Sequence, residues 1–486
     1  MNPKAFLIIG NFVKFGCITI SGMILSRFYS KSELGTYLQG VLLIATISEI
    51  AAWGLPKAVL FYGGIEKNKK NLILHVLILI SSTASTFGLL FWLLRDKICG
   101  LFSNPNLRML ALILALNLIA RTFNIVLGTI MMIVNKVNFM SLIYVISSII
   151  NVTAFATLAY LKAPVLHLFI CSFGLEVAQI FFFLLVLALT KNEDRFEWNP
   201  RLISNILTYS SPLMLNILII MAGRKLDSFL VSGFFNPEEY AVYSRGALEL
   251  PFSQMILVSI ASLLMPQISR LFHEKKPVEL THLLSNEIHK ISLLIFPMFF
   301  GLLLVYRDLI TFLYSEKYAS SSSVFLVYLL LVPIQLYSFD SILQAFNKTI
   351  WVNVASIAYV LTNLGIGLSL IHFMGVLGPA IGVLCGTLIN SSVNLYLINR
   401  FLGNSFRNWL PWAKLAKVLL ISSSPLVLLW PLSLALPHKA VIRLFIGSGF
   451  YYPIVIILLW RFNEIPAVYR EKVQRLLRSG KRKTFP

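Results

Sequence analysis

Charge is scarce in this chain of 486 residues: Asp, Glu, Lys and Arg together make up 13%, about half the share of an ordinary soluble domain. Acid is scarcer still, with 20 Asp and Glu against 41 Lys and Arg and a formal net charge of +21. An excess of base invites a nucleic-acid reading, but the basic residues lie in short connections between apolar runs, mainly on one side. That is the positive-inside pattern of a membrane protein, so no nucleic-acid partner is expected. Cysteine is rare, and Cys17, Cys171 and Cys385 sit inside apolar runs, which excludes a disulfide framework and a thiolate metal site. No Gly-rich phosphate loop, nucleophile constellation or metal-ligand spacing is present, so neither an enzyme nor a cofactor is expected.

What the chain has in quantity is hydrophobic residues, 57% of the total. They form runs of about 20 residues, each long enough to cross a bilayer as a helix. The runs are continuous rather than alternating, which argues against a β-barrel. The fold class read from this pattern is all-α, a polytopic membrane helical bundle of about fourteen spans. They run from Phe6–Ser26 to Val165–Thr190 in the first half and from Leu207–Leu230 to Val376–Ile398 in the second. The second half includes Tyr240–Met265, Ile291–Tyr306 and Ser323–Phe346, and Leu415–Leu436 and Val441–Trp460 follow it. Pro212, Pro251, Pro297 and Pro333 fall inside runs and are expected to mark kinks.

Placing the first residues inside the cell puts most Lys and Arg on the cytoplasmic side, and both termini with them. The first apolar run has no cleavage site after it and reads as a retained helix. The segment His273–His289 holds three histidines; it reads as a short amphipathic surface helix rather than a metal site. The tail Arg470–Lys483 reads as an anchor to anionic membrane lipid.

The chain also repeats itself. Ser26, Phe28, Glu33, Tyr37 and Gly40 recur as Ser232, Phe234, Glu239, Tyr243 and Gly246, 206 residues on. Asn135-Lys136 and Asn151 recur as Asn347-Lys348 and Asn363, 212 residues on. Blocks in the same order suggest two copies of one unit. Each copy holds six spans, an even number, so the two share one orientation. The domains expected are a six-helix lobe over 1–190, a cytoplasmic linker over 191–206, a second lobe over 207–400, an additional helix pair over 401–461 and a basic tail over 462–486.

Three stretches carry a family resemblance. They are Ser32-Glu33-Leu34-Gly35-Thr36-Tyr37 with its copy around Asp227 and Phe234–Tyr243, Gly54-Leu55-Pro56, and Gly375-Val376-Leu377-Gly378-Pro379-Ala380. They are similar to the polysaccharide transporter branch, the Wzx-type oligosaccharide flippases, of the multidrug/oligosaccharidyl-lipid/polysaccharide exporter superfamily. The resemblance covers most of residues 1–400. It implies two lobes around a V-shaped central cavity, and a flippase for undecaprenyl-pyrophosphate-linked repeat units in O-antigen or exopolysaccharide synthesis. The implied partners are the lipid-linked oligosaccharide, membrane lipids and other polysaccharide assembly proteins, in a bacterial inner membrane. The alternative is a proton- or sodium-coupled drug antiporter of the same superfamily.

The ionisable residues within spans are the candidate site. The cations are Lys14, Arg121, Arg224, Lys225 and Arg245; the acids are Glu49, Glu176, Asp227, Glu249 and Asp340. Charges at that depth cost about 2.5–3.5 kcal/mol each on insertion scales and face a cavity or a partner. Arg224 and Asp227 are three apart, and Arg245 and Glu249 four apart, so each pair shares a helix face. Two readings remain for them, intrahelical pairing or a polar cavity wall. Lys14 and Arg121 have no acid within helical reach, so they are first choice for a substrate phosphate; their rival role is a salt bridge across helices, to Glu49 or Glu176. The acids are candidates for proton or Na⁺ coupling, Glu49 and Asp340 foremost.

Overall fold

The computed structural model describes residues 3–190, 197–248, 251–334, 336, 340–403, 406–435 and 440–465. Glu249, the first part of the linker (191–196) and the basic tail Arg470–Lys483 lie outside the described residues.

Among the described residues the chain is helical, with no strand. The first half runs α1 (Pro3–Phe28), α2 (Lys31–Ala51), α3 (Leu55–Ile65), α4 (Lys69–Leu93), α5 (Arg95–Leu101), α6 (Asn106–Ile133), α7 (Val137–Tyr160) and α8 (Val165–Leu189). Then come α9 (Pro200–Phe234), α10 (Pro237–Gly246), α11 (Pro251–His273), α12 (Pro277–Tyr314), α13 (Ser321–Leu329), α14 (Leu331–Ile334) and α15 (Asp340–Ala345). The last are α16 (Thr349–Met374), α17 (Leu377–Leu402), α18 (Phe406–Trp409), α19 (Trp412–Ala435) and α20 (Ala440–Arg461).

Eleven of the described helices are long and apolar enough to cross a membrane, with α2 and α3 together forming one span, Lys31–Ile65. The fourteen expected spans differ from these at three places. The first, α1, is helical over the expected run. The run Tyr240–Met265 is divided, because α10 stops at Gly246 and Pro251 opens α11; proline favours the first helical turn and disfavours helix before it. Ser323–Phe346 is divided into α13, α14 and α15, with Pro333 removing a backbone donor in the middle.

Other expectations also change. Pro297 lies inside α12, but the non-helical backbone of that helix is at Val305 (φ −120°, ψ 17°). The segment His273–His289 is not a separate surface helix. Its chain turns at 274–276, and Pro277 then starts α12, which continues unbroken into the span. Leu280, Leu284 and Ile288 bury one stripe of that inner extension, so packing holds it as part of one helix.

The repeat is written into the element bounds. α1 ends at Phe28 and α9 at Phe234; α2 opens at Lys31 and α10 at Pro237, each 206 residues apart. α7 opens at Val137 and α16 at Thr349, and α8 at Val165 and α17 at Leu377, each 212 apart. The matched residues of the sequence blocks have local causes. Ser30 and Glu33 cap α2 reciprocally, Glu33 N donating to Ser30 Oγ at 3.2 Å and Ser30 N to Glu33 Oε2 at 2.9 Å. Asn236 and Glu239 repeat that box at the start of α10. Such boxes satisfy backbone donors that a helix start leaves open. Asn135 (φ 58°) and Asn347 (φ 59°) both take the left-handed conformation, which Asn tolerates better than most side chains. In both turns the following lysine donates its N–H back, from Lys136 to Met131 O and from Lys348 to Leu343 O, at 2.9 Å.

By packing, the chain divides into two compact units, Met1–Ser244 and Arg245–Pro486. In the first, α6 is central and packs against α2, α3, α4 and α8, while α1 lies along α7. Its core includes Leu55, Val59, Leu72, Ile80, Val126 and Ile130. α9 opens the second repeat copy, yet it packs against α2, α3 and α4 and so belongs with the first unit. Gly54 explains part of this, because a Cβ there would stand 2.7 Å from Ser210 O of α9; only hydrogen permits that approach. In the second unit α12 packs against α19 and α20, and α16 and α17 form a close pair.

Candidate functional site

Four helices of the first unit bring together Lys14 (α1), Arg121 and Asn124 (α6), Tyr144 (α7) and Glu176 (α8). α6 turns Leu118, Thr122 and Val126 to the core, and Thr122 further seats its hydroxyl on Leu118 O at 2.7 Å. That leaves Arg121 on a face where 48% of its side chain is exposed. Asn124, one turn on, shares that face and donates to Glu176 backbone O at 3.0 Å. This bond fixes the level of Glu176 against Arg121. Arg121 Nη1 then stands 3.4 Å from Glu176 Oε1, a long ion pair whose acid is only 15% exposed. Lys14 Nζ lies 4.9 Å from the Tyr144 ring centroid, a cation–π distance. It is also within electrostatic reach of both Arg121 and Glu176. Gly128 makes room for Tyr144, since a Cβ at 128 would stand 2.5 Å from the tyrosine hydroxyl.

Two cations face one carboxylate, so the cluster is formally positive by one charge. It is also incompletely satisfied: Glu176 Oε2 and Asn124 Oδ1 are buried with no hydrogen-bond partner among the described residues. A half-exposed Arg tied loosely to a buried acid can exchange that acid for another anion. Its planar fork suits the paired oxygens of a phosphate, and the nearby Lys adds a point charge.

The other expected residues have surroundings of their own. Arg224 is exposed and Lys225 half-buried on α9. Asp227, 2% exposed, takes its bond from elsewhere than its helix neighbour Arg224: the Tyr243 hydroxyl donates to it at 2.7 Å. Arg245 is buried in the second unit with its guanidinium 4.8 Å from the Tyr314 ring centroid; its expected partner Glu249 lies outside the described residues. Glu49 is half-buried in the last turn of α2. Asp340 opens α15 and accepts from Asn394 Nδ2 of α17 at 2.5 Å. Of the expected residues, then, Lys14, Arg121 and Glu176 converge. The neutral partners Tyr144, Asn124, Tyr243 and Asn394 were not foreseen. Asn124 carried a signal in its three-residue spacing from Arg121, and Tyr243 in its match to Tyr37 across the repeat.

Comparisons with known proteins follow the same line. The sequence profile of a family described as "Polysaccharide biosynthesis protein" matches residues 24–323, more than half of the chain. A curated relative, the probable low-salt glycan biosynthesis flippase Agl15 of Haloferax volcanii, is 20% identical over 229 residues. That match spans 46% of this chain and 47% of the relative, about half the length of each. Among solved structures, the fold is similar to lipid II flippase MurJ in an inward closed conformation, with a TM-score of 0.70 at 15% identity, covering 94% of this chain and 99% of that one. It is also similar to an inward-facing MATE multidrug resistance transporter of the MOP superfamily, with a TM-score of 0.65 at 15% identity, covering 80% of this chain and 94% of that one.

Proposed function

This chain belongs to the polysaccharide biosynthesis protein family, and we propose that it is a flippase for lipid-linked oligosaccharide, working by alternating access. The substrate is an undecaprenyl-pyrophosphate-linked repeat unit, moved from the cytoplasmic to the outer leaflet of a bacterial inner membrane for O-antigen or exopolysaccharide synthesis. Both termini lie in the cytoplasm; the lobes that move are the repeat copies, 1–190 and 207–400, with α9 travelling with the first. The observation that carries the reading is the net-positive cluster of Lys14, Arg121 and Glu176 on three helices of one unit. Its cations suit a pyrophosphate, and two proteins similar to this chain are named flippases.

In this reading Arg121 takes the pyrophosphate oxygens and Lys14 steadies them. Glu176 holds Arg121 when no substrate is bound and yields it when phosphate arrives. Asp340, whose carboxyl meets the Asn394 carboxamide, is the coupling acid for a proton or Na⁺. The test is deletion of the gene, with measurement of lipid-linked glycan on the cytoplasmic leaflet. Accumulation there, reversed by the intact gene and not by a level-matched Arg121→Ala variant, supports the reading; unchanged glycan export sinks it.

The second reading, a cation-coupled drug antiporter, is favoured by the MATE-like fold and by the buried oxygen of Glu176 that lacks a hydrogen bond. It would bind organic cations, and it would lose them on Glu176→Gln while tolerating Lys14→Ala. The flippase reading expects the reverse.

A further inference from the structure

In the second unit, the end of α11 and the start of α12 border a cavity of about 430 Å³. Leu271, Leu280 and Phe401 give it an apolar floor, and His273, Lys275 and Lys276 stand among its lining. No carboxylate is part of that lining. The nearest acid in sequence, Glu274, is turned to Lys276 at 2.9 Å, which leaves Lys275 to meet a ligand. Lys348 reaches the same aromatic wall, its Nζ 5.2 Å from the Phe401 ring centroid. A second opening of about 470 Å³, bordered by Gln344 and Asn347, shares His273.

Lys275 holds a further clue. Its φ is +55°, in the left-handed region where glycine is at ease and a lysine is strained. The turn is an ordinary helix ending, with Lys276 N–H returning to Leu271 O at 3.0 Å; glycine is the usual residue there. At the end of α17 the chain does use one, Gly403 (φ +63°). At 275, as at Lys162 (φ +51°), it keeps a lysine instead, and here that lysine lines the cavity.

We propose that this cavity binds an anionic phospholipid, with its phosphate on Lys275, His273 and Lys348 and one acyl chain along Leu271, Leu280 and Phe401. The combination decides the occupant. A free phosphate has no use for an apolar floor, and a neutral lipid none for the cationic rim. Basic pockets at the ends of spanning helices take anionic headgroups on this principle. In the topology proposed above, the connection between α11 and α12 lies on the cytoplasmic side, the side on which such lipids are attracted. The site is separate from the substrate cluster and stands whether or not that cluster binds phosphate.

The test uses the full chain purified in a neutral detergent, with three probes: dioctanoyl phosphatidylglycerol, dioctanoyl phosphatidylcholine and inorganic phosphate. Intrinsic tryptophan fluorescence and thermal unfolding give affinity and stability. The intact protein is expected to bind the glycerol lipid more tightly than the choline lipid, by about fivefold for each lysine engaged. Lys275→Gly removes a charge but relaxes the turn. It is expected to raise the lipid-free unfolding temperature while weakening phosphatidylglycerol by about fivefold, a combination that misfolding cannot produce. Lys275→Gly with Lys348→Gln is expected to bring the two lipids level. Equal affinity for both lipids in the intact protein, undiminished phosphatidylglycerol binding in the double variant, or inorganic phosphate displacing the lipid at a matched concentration would each overturn the proposal.

Discussion

Glu176→Gln and Arg121→Gln remove the two halves of one ion pair, yet they are expected to differ in their cost to stability and to act in opposite directions on affinity. Arg121 is half-exposed and 3.4 Å from its acid, so the pair itself is worth about 0.5–1 kcal/mol. Glu176→Gln loses that and little more, because Oε2 already lacks a hydrogen-bond partner. Arg121→Gln takes the ion-pair partner from a largely buried carboxylate and leaves it only the more distant Lys14, and an unsatisfied buried group costs about 1–3 kcal/mol, more when charged. The double variant removes both charges and is expected to recover most of that loss. Affinity for a polyprenyl pyrophosphate follows a different order. Freeing Arg121 from Glu176 lets the guanidinium meet phosphate without a competitor, a gain of about 1 kcal/mol or fivefold, discounted for exposure. Glu176→Gln should therefore bind more tightly than the intact protein, and Arg121→Gln more weakly. Thermal unfolding in detergent gives the first order, and ligand titration on the same samples gives the second. Equal destabilisation by both single changes, or weaker lipid binding by Glu176→Gln, would refute the competition between acid and phosphate.

Three further outcomes follow from the packing. Tyr243→Phe removes the 2.7 Å bond to buried Asp227; unfolding measurements should show a loss of about 1.5–3 kcal/mol, the range for hydrogen bonds to charged groups. At Gly382 a Cβ would stand 2.7 Å from Asn363 O, so Gly382→Val must part α16 from α17. It should cost about 1–3 kcal/mol, seen as less folded protein in the membrane. Ser30→Ala and Asn236→Ala each remove a side-chain cap at the start of α2 or α10. Each should lower stability by about 1 kcal/mol, and the matched effects would show that the two repeat copies use their caps alike.

Much of the fold was legible because a bilayer imposes simple rules. Apolar runs fixed where α4, α6, α7, α8, α16 and α17 lie. The repeat was readable because caps and left-handed turns need particular residues, Glu33 and Glu239 for one, Asn135 and Asn347 for the other. Breaks within runs were harder to see. Hydropathy does not distinguish one span from α13, α14 and α15 in succession, and the irregular backbone of α12 lies at Val305, which no proline signals. The candidate site was half legible. Isolated charges named Lys14 and Arg121, and Glu176 was foreseen as a rival partner. Their convergence depends on α6 meeting α8 while α1 lies along α7, a matter of tertiary packing. Sequence spacing misled at Asp227, where helical geometry offered Arg224 and the fold supplied Tyr243.

The most direct test of phosphate recognition is the affinity of the purified protein for undecaprenyl pyrophosphate against the uncharged alcohol undecaprenol. The intact protein should favour the pyrophosphate by at least about tenfold, one good charge-assisted contact. Lys14→Gln with Arg121→Gln should erase that preference while leaving undecaprenol binding unchanged. Equal affinity for the two lipids in the intact protein, or a preference that survives loss of both cations, would contradict the assignment of Lys14 and Arg121 to the substrate phosphate.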